Sequence, residues 1–361
     1  MKHDKLFTPG PTEVSPEILQ ELSTPQIHHR TDEFSELYDE IQYRLQKLLF
    51  TDNPVFLFTS SSTGAMEAAV TNGVNKRCLN VINGAFGNRW HQITKMNGVP
   101  CDKVELEWNK AVTPKLVDDH LSKGKYDAVT LVFNETSTGM MNPLKDIAEV
   151  VSDYDDVLLL VDAVSGMAGA KIDVDEWGLD MVLAGVQKAF ALPSGIAVAS
   201  VSERLLDRAE EVEPRSYYFN LPLMKKYHQR SQTRTTPAIP QLFALKKQLV
   251  NIVDEEGIEE TFERHDRMAK LVQNWAKTHF DIYPEKGHWS KTLTCVKNTR
   301  NISVKELNQK LIEDYRMRIS NGYGDLKKKT FRISHMGDYD TPDLRGLLAT
   351  INHILGLKGG L

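Results

Sequence analysis

The chain reads as an α/β protein built on a mainly parallel sheet, and three observations predict this. Short apolar runs of strand length recur through the first two hundred residues. Amphipathic helical stretches separate several of them. The residues after the runs are small, hydroxylated or charged, as at the carboxyl edge of an open sheet.

In chain order, Pro9-Gly10-Pro11 marks a turn, and Phe34, Leu37, Ile41, Leu45 and Leu48 share one helical face. Val55–Phe58 and residues 79–82, 128–133, 157–161, 181–183 and 196–201 read as buried strands, with helical patterns at 63–74 and 143–151. The pattern changes after about residue 250. Ile258–His279 reads as a long amphipathic helix, followed by short strands at 291–296, 317–320 and 330–333 and helices at 304–314 and Thr341–Leu355. A boundary between a large and a small domain is expected near residue 252. No Pro/Gly/Ser-rich linker marks it, so the expected join is a continuous or kinked helix.

The 361 residues carry a formal net charge of -5. Without a basic excess to release counterions, a nucleic-acid backbone is excluded as the main partner. Cys78, Cys101 and Cys295 lack metal-ligand spacing and are odd in number, so neither a disulfide framework nor a metal site is expected, and a reducing cytoplasm is. No signal-peptide or membrane-spanning run is visible. In that setting the sequon Asn134-Glu135-Thr136 reads as chance.

The chemistry should lie where strand ends converge. The run at 157–161 is followed by Asp162, and the run at 128–133 by Asn134-Glu135-Thr136-Ser137-Thr138-Gly139. Val55–Phe58 is followed by Thr59-Ser60-Ser61-Ser62-Thr63-Gly64, and 181–183 by Ala184-Gly185-Val186-Gln187-Lys188. An acid, two hydroxyl-rich loops and a lysine thus reach one sheet edge. Each feature alone has a plainer reading. Small hydroxylated residues opening a helix suit an anion, or they are a cap through Ser62 or Thr63. Asp162 is either a turn residue or a partner for a protonated pyridine nitrogen. Lys188 is either a surface charge or, among its small and apolar neighbours, a lysine of lowered pKa able to act as nucleophile and base.

From Thr8-Pro9-Gly10-Pro11-Thr12 to about Gly356, the sequence resembles the class V (fold type I) pyridoxal-phosphate-dependent aminotransferases, most closely their serine–pyruvate/alanine–glyoxylate branch. The resemblance implies a seven-stranded, mainly parallel sheet in a large domain (16–252), a smaller α+β domain (253–361) and an N-terminal segment (1–15) whose Gly10 reaches the substrate. It implies pyridoxal 5'-phosphate held by Lys188 as a Schiff base, its phosphate by Ser61, Ser62, Thr63 and Gln187. Phe86, in Asn83-Gly84-Ala85-Phe86-Gly87, would stack on the ring, although the pattern alone also allows a core phenylalanine. Thr136 would bond the phenolic oxygen and Asp162 the ring nitrogen. Arg332, in Phe331-Arg332-Ile333, would clamp the substrate carboxylate. Thr235 would reach the partner subunit's cofactor phosphate in a homodimer with shared active sites. Two departures stand out: serines replace glycines in the phosphate loop, and Gln232 stands where relatives often have tyrosine.

The implied reaction moves an amino group from serine or alanine to pyruvate or glyoxylate, with Lys188 as general base and then acid. The main alternative is phosphoserine or aspartate transamination, because Ile27-His28-His29-Arg30 is similar to a segment that binds a substrate phosphate in phosphoserine aminotransferases. A cysteine desulfurase would have to rely on Cys295, and a non-catalytic binder would not need Lys188, Asp162 and Arg332 together.

Overall fold

The computed structural model describes residues 3–360. Its centre is a seven-stranded sheet of β1 (Val55–Phe58), β2 (Cys78–Ile82), β3 (Cys101–Glu105), β4 (Ala128–Val132), β5 (Leu158–Asp162), β6 (Met181–Gly185) and β7 (Ala197–Val201). The spatial order is β1-β7-β6-β5-β4-β2-β3. Neighbours pair in parallel from β6 across to β3. β7 is antiparallel to both β6 and β1. With β7 reversed, β1 again points the same way as β6, so the carboxyl ends of β1, β4, β5 and β6 share one edge.

Alternate strand residues feed two cores. Leu57, Leu131, Leu159 and Val161 pack on one face and Phe56, Val132, Leu158 and Leu160 on the other, as a period of two requires when both faces are covered. Helices Asp32–Leu49 and Ser62–Gly73 lie on opposite faces. Edge strand β3 was not foreseen. Its Asp102, Lys103 and Glu105 leave no apolar run to read, and charge on an edge discourages pairing with another chain. Helix Ala85–Met96 was also missed, because only Gly87, Trp90 and Thr94 of its residues are fully buried.

Helix Ile239–Val250 runs on as a π-helical stretch, Asn251–Glu256, to Gly257, whose φ of +91° ends it before helix Ile258–His279 begins. The expected join near residue 252 falls in that stretch. Beyond it an antiparallel sheet forms in the order Asp281–Ile282, Leu293–Lys297, Thr330–Ser334, Ser320–Asn321. A third core, with Trp275, Leu311, Phe331 and Leu347, lies under it. The strand expected at 317–320 divides in two. Ser320–Asn321 pairs with Thr330–Ser334, whereas Met317–Arg318 pairs in parallel with Lys5–Leu6. The N-terminal segment claims the first half, a long-range pairing no local pattern encodes. Among the described residues, no helix is long and apolar enough to cross a membrane.

Candidate active site

Lys188 lies in the turn after β6 and is 8% exposed. The backbone around it is pinned. Its carbonyl accepts from Ala191 N–H (2.8 Å) and Thr12 Oγ1 (3.0 Å), and Thr12 N–H donates to the Gln187 carbonyl at 3.2 Å. The Lys188 amine donates to the Pro9 carbonyl. Gly10 is held at φ +116°, and a Cβ there would collide with Lys188 Nζ. Glycine is needed at this position both for its conformation and for the space. Burial, then the charge of Arg332, lowers the Lys188 pKa to about 8.

Asp162 ends β5, the strand beside β6, and is 3% exposed. Its Oδ1 accepts the Val164 N–H at 2.8 Å. Burial pushes its carboxyl up to about 7 against the opposing pull of that N–H. A buried acid with one donor is poised to meet a cation.

The Ser61–Thr63 loop leads from β1 into helix Ser62–Gly73. Ser61 is the N-cap, yet its side chain makes no capping bond. The cap expected through Ser62 or Thr63 is therefore not the arrangement found, and the helix start keeps its anion-binding character. The loop lies hard against the end of β6, where a Cβ on Gly185 would collide with the Ser62 hydroxyl.

These groups open on one cavity of about 370 Å³, lined by Ser61, Ser62, Thr63, Asp162, Gln187 and Lys188, with Gly10 and Phe86. Phe86, the second residue of helix Ala85–Met96, is partly buried: it packs against the core that holds Phe56 and Leu160 and also lines the cavity. The start of that helix is gripped by Glu135. Glu135 Oε2 accepts the N–H of Phe86 (2.9 Å) and of Gly87 (3.1 Å), while Oε1 accepts the Ser137 N–H (3.0 Å) and hydroxyl (2.5 Å).

Thr136 and Arg332 do not line the cavity but meet each other. Arg332 Nη1 donates to the Thr136 carbonyl and Nε to the Asn321 carbonyl, both at 3.2 Å, while the Thr136 hydroxyl bonds Ser165. The Arg332 guanidinium lies 5.5 Å from the centre of the Tyr323 ring, and Tyr323 does line the cavity. Sequence reasoning missed Tyr323, Arg89, Met66 and Ser194 as lining residues. Arg89 and Met66 carry a helical signal, one turn beyond Phe86 and Thr63. Tyr323 follows a two-residue strand and carries none.

Thr235 lines a different crevice with Gln232, Arg234 and Tyr38. Arg30 braces that loop, donating to the carbonyls of Thr233 (2.7 Å) and Arg234 (3.1 Å) and to Gln232 Oε1 (3.3 Å). Three of its acceptors thus lie in the loop at 232–234, while its Nε–H has no acceptor among these bonds. Cys295 is buried in strand Leu293–Lys297 and burial raises its thiol to about 11, unlike a mobile nucleophile. Asn134 is also buried, donating to the Ser165 carbonyl and Thr292 hydroxyl.

Set beside known proteins, residues 7–322 match the aminotransferase class-V family. An uncharacterized aminotransferase of Methanocaldococcus jannaschii is 36% identical over 98% of this chain and 92% of its own. The serine–glyoxylate aminotransferase of Arabidopsis thaliana is 28% identical over 97% and 90%. The crystal structure of alanine–glyoxylate aminotransferase from Nostoc sp. superposes with a TM-score of 0.93 at 25% identity, covering 98% of this chain and 96% of that one.

Proposed function

The chain belongs to the class-V aminotransferases, pyridoxal-phosphate-dependent transaminases, and from that premise we propose that it moves the amino group of serine or alanine to pyruvate or glyoxylate, with Lys188 as the cofactor-bearing base. One observation carries the assignment: the Lys188 amine, the Asp162 carboxyl and the uncapped helix start at Ser61–Thr63 open on one cavity.

These residues fit the cofactor. The hydroxyl-lined helix start suits its phosphate, with Gln187 alongside. Asp162, pushed up to about 7 by burial, gains a cationic partner in a protonated ring nitrogen. Phe86 offers a ring face to stack on. Bound pyridoxal phosphate supplies an aldehyde carbon for the amino group and a ring that accepts electrons.

The protein's own groups do the rest. With its pKa lowered to about 8, Lys188 can lose and regain a proton near neutral pH, as a base moving the α-proton must. Gly10 leaves room beside the Lys188 amine. Arg332 and Thr136 stand just behind the cavity lining; Arg332 is assigned the substrate α-carboxylate, and Thr136 a hydrogen bond to the cofactor for which its hydroxyl must leave Ser165. Thr235 lies outside its own chain's cavity, which fits a role at the partner's site in a cytoplasmic homodimer. The substrate choice follows relatives named for serine–glyoxylate and alanine–glyoxylate transfer.

The test is reconstitution with pyridoxal phosphate, a visible absorption spectrum, and a panel of amino donors against pyruvate, glyoxylate and 2-oxoglutarate. Serine or alanine should be turned over. Lys188→Ala should abolish the lysine-dependent absorption band and lower turnover by about 10²–10⁴-fold. A Lys188→Ala enzyme that keeps both would defeat the assignment.

A further inference from the structure

We propose that Arg89 is a specificity-determining residue that receives a second anionic group, so that the enzyme also turns over acidic amino acids and oxo acids. The inference rests on the transaminase reading of the Lys188 cavity and names a substrate class for that site. Arg89 follows Phe86 by one helical turn, so both project from one side of helix Ala85–Met96. Both line the cavity that holds Lys188 and Asp162. The Arg89 guanidinium carbon lies 4.8 Å from the centre of the Phe86 ring. Among the described residues, Arg89 forms no ion pair and no hydrogen bond. Stacked on a ring, a guanidinium still has its in-plane N–H donors to offer.

No acid of the site pairs with it, although its charge reaches Asp162. Glu135 already accepts four hydrogen bonds from Phe86, Gly87 and Ser137. Asp162 is assigned to the cofactor ring. The cofactor phosphate has its own place at Ser61–Thr63. A partly buried arginine facing a catalytic cavity is therefore matched only when a ligand brings the anion.

A second guanidinium, Arg332, stands just behind the cavity wall against Tyr323. The Phe86 and Tyr323 ring centres are 5.7 Å apart, and Arg332 lies 5.5 Å from the Tyr323 centre. A substrate carrying an α-carboxylate and a distal anion presents two charges to two receptors. Alanine and serine present one. The distal group can be a carboxylate or a phosphate, since a guanidinium fork bonds either bidentately.

The experiment compares kcat/KM for aspartate, glutamate and O-phosphoserine with kcat/KM for alanine, using pyridoxal-phosphate-loaded wild type, Arg89→Met and Arg89→Lys. In Arg89→Met the acidic-to-alanine ratio should fall by about 10–100-fold, the range for a lost hydrogen bond to a charged group. Arg89→Lys should recover part of it, as a point charge without the fork. The aspartate and phosphoserine arms tell carboxylate from phosphate. An unchanged ratio in both variants overturns the proposal, and so does a weakened hold on pyridoxal phosphate with the ratio intact, which would assign Arg89 to the cofactor. If Arg89→Met does not fold, wild type and Arg89→Lys decide. Wild-type turnover of alanine but of no acidic substrate defeats this inference alone. Turnover of no amino donor, serine included, defeats the proposed function as well.

Discussion

Asp162 and Glu135 are two buried acids at the ends of neighbouring chain segments, one closing β5 and the other just past β4. Burial raises both above the usual carboxylate range. They differ in their donors. Glu135 accepts four hydrogen bonds, from the N–H groups of Phe86, Gly87 and Ser137 and the Ser137 hydroxyl, and a Cβ on Gly84 would collide with it. Asp162 accepts one, from Val164. Buried carboxyls sort by the donors that meet them. One whose lone pairs are filled by its own chain is a fastening, here for the helix that carries Phe86 and Arg89. One left open is waiting for a charge that the chain does not supply.

Asp162→Asn should have the largest effect. Removing a fixed charge aimed at the reacting system typically lowers turnover by about 10²–10³-fold, and that is the expected fall in kcat under saturating pyridoxal phosphate. A kcat close to that of wild type would place Asp162 with Glu135 as a fastening.

A second effect shows in the cofactor-free protein. The Asp162 carboxyl titrates at about 7 when folded, against 3.8 ordinarily. Between those values the folded chain holds a proton that the unfolded chain releases, so Asp162's contribution to stability falls as pH rises through that window. The amide introduced by Asp162→Asn does not ionise. Urea unfolding should therefore show Asp162→Asn gaining on wild type between about pH 4 and 7 and holding a lead of roughly 2–4 kcal/mol above it. A difference that is flat in pH would contradict the burial argument.

The smallest effect is expected from Glu135→Gln. Its amide must turn an N–H₂ toward backbone N–H donors whichever way it is flipped, costing about 1–3 kcal/mol of stability. Thermal unfolding measures it, and kcat should fall less than in Asp162→Asn. A larger loss of kcat than of stability would make Glu135 part of the chemistry.

The sheet was legible in the sequence wherever a strand is buried on both faces, because such strands are unbroken apolar runs. Val55–Phe58, Ile258–His279 and Thr341–Leu355 have the bounds their patterns indicated. Edge strand β3 was hidden by its charges, and Met317–Arg318 by having a partner more than three hundred residues away. In the site, groups at strand ends were readable because an open parallel sheet directs them to one edge. Lys188, Asp162 and Ser61–Thr63 belong to that set. Tyr323 was not, since it follows only a two-residue strand, and Arg89 lies one turn inside a helix whose pattern was not read. Arg30 shows the limit of a short motif: a His-Arg pair looks the same in sequence whether it meets an anion or holds a loop, and here it is seen holding the loop at 232–234.

The N-terminal segment ties the timing of assembly to the site. Lys5–Leu6 pair with Met317–Arg318, Phe7 N–H donates to the Arg318 carbonyl, and Ser334 N–H donates to the Phe7 carbonyl. The Pro9 carbonyl and Gly10, which wall in the lysine, follow directly. Residues 5–7 are thus fixed by residues more than three hundred positions later. Closing so long a loop is entropically costly and slow. A nascent chain can complete its large sheet and still lack the wall beside Lys188. The lysine cavity is finished only once the small sheet exists, so catalytic competence reports completion of the whole fold.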